Sequence, residues 1–475
     1  MLDHTQTGEL LSAFEAILGD RGILQGRDTE PYCRDWRDLY RGATIAVLRP
    51  ADTAELAAVV GLCASRGVAM VPQGGNTSMV GGAVPDEAGA QVVVSLARLN
   101  RLRDLDPVDM TMVVEAGVPW QAAQAHAASA GLMLPLSISS EGTAQVGGIL
   151  STNAGGNNTL RYGNARDLVL GIEAVLPDGS TLHALRRLRK DNTGYALRHL
   201  LVGAEGTLGF ITAAVLKLVP RPTETAVALC GVPSPEAATE LFRHFQRHDA
   251  AAIQAFEFMS GMGMSFVIEH IPGATLPLAS PAPHYVLVEL ATTRPDAGLR
   301  QSLESVLETA LETGLVEDAA IAESGAQRDA IWKLREEHAE AQKREGASVK
   351  NDVSVPIARV AEMIARASAA CRAMIPGVRP VPFGHLGDGN IHFNLEQPVD
   401  MAAADFLARS DDIMHAVNDI VRDLGGSFSA EHGVGRLKTS MMPEWRGGAE
   451  LETMRRIKAA LDPMGLMNPG KLFPA

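Results

Sequence analysis

Few cysteines, no excess of basic residues and no long apolar run mark this chain, and each shortage narrows what it can be. Cys33, Cys63, Cys230 and Cys371 lie far apart with no Cys-x-x-Cys pair. They read as reduced thiols, in the core or at the surface, of a cytoplasmic protein. With 42 Lys and Arg against 56 Asp and Glu, the formal charge is −14. That argues against a general affinity for nucleic acid or anionic membrane, since both attract basic surfaces. No apolar stretch approaches the roughly 18 to 20 residues that span a bilayer. The opening "MLDHTQTGELLSAFEAILGDRG" has acids and an amphipathic period, and reads as a first helix rather than a signal peptide. There is no strict internal repeat and no low-complexity tract. What remains is 475 residues of ordinary globular composition, 46% apolar and 21% charged, long enough for two or three domains.

Residues 43 to 220 alternate short β-branched runs with helices and glycine turns. "TIAVLRP", "GVAMVPQGG" and "AQVVVSL" read as strands, while "TAELAAVVGLCASRG" and "VPWQAAQAHAASAG" carry apolar residues at helical spacing. "LVLGIEAVLPDGSTLHAL" reads as two strands turning at Pro177-Asp178-Gly179. Pro220 and Pro222 suit a domain boundary. Beyond them the glycine clusters vanish and strand-then-helix units follow, which predicts a sheet with helices on one face. "SGAQRDAIWKLREEHAEAQKREG" reads as one helix, and residues 403 to 475 as helical with an irregular tail. The expected domains are 1–221, 222–424 and a C-terminal segment, 425–475, that closes on the first.

"VPQGGNTSMVGGAVP" and "EGTAQVGGILSTNAGGNNTLRYGNARD" are the strongest signals of the first domain. Glycine admits positive φ and the close approach of a ligand, and successive free N–H groups form a nest for anionic oxygens. Asn76, Thr77, Ser78, Ser151, Thr152 and Asn153 add short donors. Two such loops suit a diphosphate and a polar ring edge. No Gly-x-Gly-x-x-Gly stands between a strand and a helix with an acid ~20 residues on, so that dinucleotide fold is unsupported. "GLMNPGKL" misses a Walker loop because Leu472 replaces the Ser or Thr, and no strand precedes a long helix there.

In order along the chain, "QGGNTSMVGG", "GTAQVGGILSTNAGG", "RYGNARDLVLGIEAVLPDG", "RKDNTGY" and "GAEGTLGFIT" resemble the FAD-binding domain of the vanillyl-alcohol oxidase superfamily. Within it the chain is similar to the FAD-dependent D-2-hydroxyacid dehydrogenases, the D-2-hydroxyglutarate, D-lactate and glycolate-oxidase-subunit group, from about residue 40 to the end. The resemblance implies an α+β fold: a two-part FAD-binding domain, an α+β substrate-binding domain and a helical C-terminal segment. It places the FAD diphosphate on Gln73, Gly74, Gly75, Asn76, Thr77 and Ser78, and on Gly142, Thr143, Gly148, Thr152, Asn153 and Gly156. Glu205, Gly206 and Ile211 would line the adenine and flavin side, and Asn468 would return from the tail to the flavin. "GGNTS" offers no His or Cys anchor, so the FAD is expected to be non-covalent.

"FGHLGDGNIHF" puts Asp388-Gly389 at a favoured hairpin turn, with His385 and His392 equidistant from it. Across a two-residue hairpin their Cβ atoms would stand roughly 4.5–5.5 Å apart; a longer loop would still leave them close. Glu431 in "SAEHGVGRLK" is the candidate third ligand. Two His and a carboxylate with an open position suit catalytic Zn²⁺, or another divalent metal. The resemblance assigns the same three residues to the metal and makes His432 the general base, and an imidazole pKa of ~6.5 suits that task. It gives Arg335 and Lys350 to the substrate carboxylate and Asn394 to a further hydrogen bond. Where D-2-hydroxyglutarate enzymes tend to carry a hydroxyl residue after the arginine, this chain has Ala339, which weakens a second carboxylate site.

The expected reaction is oxidation of a D-2-hydroxyacid to the 2-oxoacid, D-2-hydroxyglutarate first and D-lactate or glycolate as the alternative. Electrons would pass to an electron-transfer flavoprotein or a quinone. A homodimer is compatible with the sequence, and nucleic acid is not an expected partner. A metallohydrolase using the glycine loops for a phosphorylated substrate, and a non-catalytic flavin-binding subunit, are the rival readings.

Overall fold

Short β-branched runs and capped helices account for the first unit, which comprises the chain through Gly156, Gly163–Arg221 and the chain from Glu431 onward. The computed structural model describes residues 3–474. Val47–Leu48, Gln91–Ser95 and Ala69–Gln73 run parallel, with Ile23–Leu24 antiparallel at one edge. The helix Thr53–Arg66 starts where the Asp52 carboxylate accepts from the Ala54 and Glu55 N–H groups. It buries Leu56, Val59, Val60 and Cys63, spaced three and four apart, in a core with Val92, Val94 and Phe14. The second sheet is antiparallel in the order Leu102–Asp106, Thr111–Glu115, Phe210–Lys217, Val169–Val175 and Thr181–Ala184. Its last hairpin turns as expected, with the Gly179 N–H donating to Leu176 O. From the C-terminal tail, Met467 bridges Met70 in parallel, so "GLMNPGKL" extends a sheet edge and is no phosphate loop.

The second unit is Asn157–Tyr162 with Pro222–Ala430. Residues 425–430 fall in it because Ser427 pairs with Ser354 and the Ala430 N–H donates to Asp352 O. Its sheet is antiparallel, in the order Asp318–Ile321, Glu224–Val232, His284–Thr292, Ile253–Ser260, Arg379–Gly384 and Asn390–Glu396, with Ser348–Val349 and Asp352–Ser354 both paired to the last. Helices cover both faces, not one. Phe242 and Phe245 of Pro235–Asp249 pack on Phe256. On the other face Met259, Val381 and Phe383 join Met264, Val267, Ile331, Leu334 and Ala341. Burial on both sides is why every residue of "IQAFEFMS" is buried, and why its one acid, Glu257, is conspicuous.

The expected single helix after Ser324 is two, Gly325–Glu336 and His338–Glu345. The His338 ring takes the Leu334 carbonyl at 2.8 Å, the acceptor that its own N–H would use in a continuous helix. Arg335 lies in the last turn of the first helix and Ala339 belongs to the second. Among the described residues no helix is long and apolar enough to cross a membrane. All four cysteines are free and buried, so none is a surface thiol.

Candidate active site

In the first unit the two glycine loops meet. A Cβ on Gly74 would come within 3.5 Å of Gly148 N, and one on Gly75 would strike Thr143 O at 2.1 Å. The first is ordinary contact distance, and the second is open only to a residue without a side chain, so Gly75 is the one that lets the loops stand this close. Past the strand Ala69–Gln73, the N–H groups of Gly74, Gly75, Asn76, Thr77 and Ser78 donate to no protein acceptor among the described residues. Five successive donors without partners make the nest that a diphosphate needs.

Several of the short polar side chains bond within the protein. Asn76 Nδ2 donates to Arg34 O, Gln73 Nε2 to Tyr32 O and Ala83 O, and Thr152 Oγ1 to Gly148 O. Ser78 Oγ accepts from the Val80 and Gly82 N–H groups, and Asn153 Oδ1 from that of Arg166. They shape the loops and leave the backbone to bind. Gly142 and Gly156 lie along the second loop, and a Cβ on Gly156 would meet Ser137 O at 1.9 Å. Gly206 packs against Pro72, and Ile211 is buried in register with Ala174.

Glu205 bonds within this unit as well. Its carboxylate accepts from Val434 N at 2.8 Å and Gly435 N at 2.6 Å, which pins the loop carrying Glu431 and His432 within this unit. Asn468 Nδ2 donates to Gly82 O and Glu205 O, while its buried Oδ1 has no partner among the described residues. An unmet buried acceptor beside the glycine loops is a place for a ligand N–H or O–H.

In the second unit, His385 and His392 stand with ring centroids 5.9 Å apart. They do not face each other across a tight hairpin, because His392 pairs with Phe383 and the strands are joined by His385–Gly389. Leu386–Asp388 forms one 3₁₀ turn, closed by Gly389 at φ 85°, where a Cβ would lie 2.1 Å from Val355 O. A five-residue loop thus replaces the two-residue turn and still brings the imidazoles together. His385 Nδ1 meets Glu257 Oε1 at 2.8 Å, and His392 Nδ1 faces Asp352 Oδ1 at 3.7 Å. A carboxylate at Nδ1 fixes the ring and favours Nε2 as the ligating nitrogen, an arrangement common around metals.

The other Glu257 oxygen accepts from Arg335 Nε at 2.8 Å. Burial alone would raise the Glu257 carboxyl, but His385 and Arg335 outweigh it and hold it at about 2. Arg335 is 7% exposed, lies over the Phe383 ring, and its Nη atoms make no hydrogen bond among the described residues. Asn394 is buried, and its Nδ2 donates to Gln342 Oε1 at 2.8 Å. Lys350 joins Ser348–Val349 to Asp352–Ser354, both paired to the strand of Asn394. Burial drives His338 down to about 3, so its ring is neutral. Sequence reading missed Glu257, Asp352 and Gln342. An acid inside an apolar strand was the available signal for the first; the other two lie among ordinary polar neighbours.

Residues 221–472 match the family model for FAD linked oxidases, C-terminal domain, and residues 44–185 match the model for the FAD binding domain. The chain belongs to the FAD-linked oxidase family. A D-2-hydroxyglutarate dehydrogenase of Xanthomonas citri pv. viticola is 37% identical over 464 residues, 98% of this chain and 96% of that protein. The mitochondrial D-2-hydroxyglutarate dehydrogenase of Bos taurus is 36% identical, over 98% of this chain and 83% of the other. Among solved structures, p-cresol methylhydroxylase with substrate bound aligns at TM-score 0.77 with 17% identity, over 99% of this chain and 97% of that one. Alkyldihydroxyacetonephosphate synthase aligns at 0.73 with 18% identity, over 97% and 84%. These likenesses give the vanillyl-alcohol oxidase fold. The protein is an FAD-dependent oxidoreductase of the D-2-hydroxyacid dehydrogenase group, and it acts on a small molecule. The glycine nest, its unpartnered N–H groups and the unmet Asn468 Oδ1 fit that cofactor.

Proposed function

We propose that the protein oxidises D-2-hydroxyglutarate to 2-oxoglutarate and uses a divalent metal, Zn²⁺ first among candidates, held by His385, His392 and Glu431. One observation carries the reading: Glu257 ties Arg335 to His385 through its two oxygens. A carboxylate-binding guanidinium and a metal-suited imidazole are thereby fixed by a single buried group. The donor set supports the metal, since two His with one carboxylate is a set used for catalytic Zn²⁺. The relatives' names support the substrate.

Arg335 would take the C1 carboxylate through its two Nη groups, a planar two-point contact. Lys350 adds a charge and Asn394 a hydrogen bond. His432 takes the proton of the α-hydroxyl as the C–H bond at the same carbon breaks. FAD, when bound through the glycine nest, supplies the two-electron acceptor for the hydrogen lost from that carbon. The metal would supply a Lewis-acid contact that makes the hydroxyl proton easier to remove. Electrons would leave to an electron-transfer flavoprotein or a quinone, and the four free, buried thiols support a reducing cytoplasmic setting.

D-lactate is the second reading, favoured by Ala339, which brings no hydroxyl to a second carboxylate. Purified protein, mixed anaerobically with each acid in turn, separates them: bleaching of the flavin band by D-2-hydroxyglutarate supports the first, and by D-lactate alone the second. Protein stripped with a chelator and then reloaded with Zn²⁺ tests the metal. Full bleaching rates in the stripped protein would refute it.

A further inference from the structure

The strand Asn390–Glu396 has two faces. Ile391, Phe393 and Leu395 are buried on one, and Asn390, His392, Asn394 and Glu396 alternate onto the other. His392 belongs to the proposed metal end, and Asn394, about 6.8 Å further along, is the proposed substrate contact. The partner of Asn394 is Gln342, which is fully buried in the helix His338–Glu345. Only its Oε1 is used; Gln342 Nε2 has no hydrogen-bond partner among the described residues.

A buried amide donor without an acceptor is costly, and beside a proposed substrate contact it is a donor that a ligand can complete. Ala339 lies one helical turn before Gln342, on the same side of that helix, and contributes no donor of its own. A five-carbon diacid with its hydroxyl at the His392 end and its chain along the strand would bring its far carboxylate to this amide pair.

We propose that Gln342 sets the specificity for a second carboxylate: Nε2 donates to the distal oxygens of the substrate while Oε1 holds Asn394 in place. This rests on the reading of D-2-hydroxyglutarate as substrate. In this chain a neutral buried amide does the work that a hydroxyl at position 339 would otherwise share.

Gln342→Glu tests it, because a carboxylate keeps the acceptor for Asn394 and deletes the donor. Steady-state dye reduction on the FAD-loaded enzyme, with D-2-hydroxyglutarate and D-lactate, gives kcat and KM for each. The expected result is a loss of kcat/KM for D-2-hydroxyglutarate of roughly 10- to 100-fold, the worth of a hydrogen bond to a charged group, carried mainly by KM. D-lactate, which has no second carboxylate, should change far less. Gln342→Met, which also releases Asn394, should impair both acids, D-2-hydroxyglutarate by the larger factor. Equal losses for both acids in Gln342→Glu, or no loss for either, overturn the proposal. If Gln342→Glu does not fold, Gln342→Met decides: no preferential loss for the diacid overturns the role. A wild-type protein bleached by D-lactate alone fails the substrate reading itself, before any variant is compared.

Discussion

Replacing Glu257 by Gln isolates the group that ties the proposed carboxylate site to the proposed metal site. In the native protein its two oxygens serve Arg335 Nε and His385 Nδ1, each at 2.8 Å. An amide has one oxygen, so one of those donors must face an N–H₂ instead. If that donor is His385, the ring turns to the other tautomer, with the proton on Nε2, the nitrogen suited to the metal. If it is Arg335, a guanidinium only 7% exposed keeps its charge and loses its counter-ion. Removing one member of a buried ion pair costs about 3–5 kcal/mol. For a domain of 150 to 250 residues each kcal/mol moves Tm by about 2–4 °C, so Glu257→Gln should unfold roughly 6–20 °C below wild type. Loss of an outer partner lowers metal affinity about 10- to 100-fold, and kcat/KM should fall at least as far. Thermal unfolding, metal content by mass spectrometry and anaerobic flavin reduction on one preparation read all three. A variant with lowered Tm but full metal content and wild-type turnover would make Glu257 a structural residue only. Wild-type Tm would refute the burial argument as well.

His432→Asn should retain FAD and lower kcat by about 10²- to 10⁴-fold, the usual worth of a general base; wild-type reduction rates would remove it from that role. Gly75→Ala puts a Cβ 2.1 Å from Thr143 O, a backbone atom that cannot swing away, so purified variant should carry markedly less FAD, read from the ratio of flavin to protein absorbance. Glu396 is fully buried, and burial pushes its carboxyl up to about 7 from 4.5, outweighing Ser348, Lys350 and Arg379, which pull it the other way. Its contribution to stability is therefore whole below pH 4.5 and is lost as pH rises towards 7, by up to about 3 kcal/mol. Glu396→Gln should flatten that decline, seen as a smaller drop in urea midpoint between pH 5 and pH 8 than in wild type; parallel declines would count against it.

The parts of this protein that could be read in its sequence are those where local chemistry forces the answer. Two long glycine loops in one domain have few uses, and the Gly75–Thr143 approach shows why no other residue serves there. The same holds for Pro177-Asp178-Gly179, where the turn residues specify the hairpin, and for the Thr53–Arg66 helix, where cap and apolar spacing agree. Side-chain roles in the loops were legible in type but not in direction. Asn76, Ser78 and Asn153 are hydrogen-bonding residues, yet they bond inward, because an irregular loop must first satisfy its own backbone.

The site itself divides along the same line. The residues proposed to hold a ligand cluster in short segments, "GHLGDGNIH" and "EHG", because one turn can present two of them. Residues that orient those ligands come from wherever the fold happens to pass. Glu257 lies 128 residues before His385, on a strand that reads as core, and only the alternation of Ile253–Ser260 against helices on both faces explains it. Phe256 and Phe258 face one side, so Glu257 must face the other, where Arg335 and His385 meet it. Assigning helices to one face alone left no reason for an acid in that strand. Once both faces are covered, an ionised acid there needs a buried cation or donor, and the 2.8 Å contacts to Arg335 and His385 supply it.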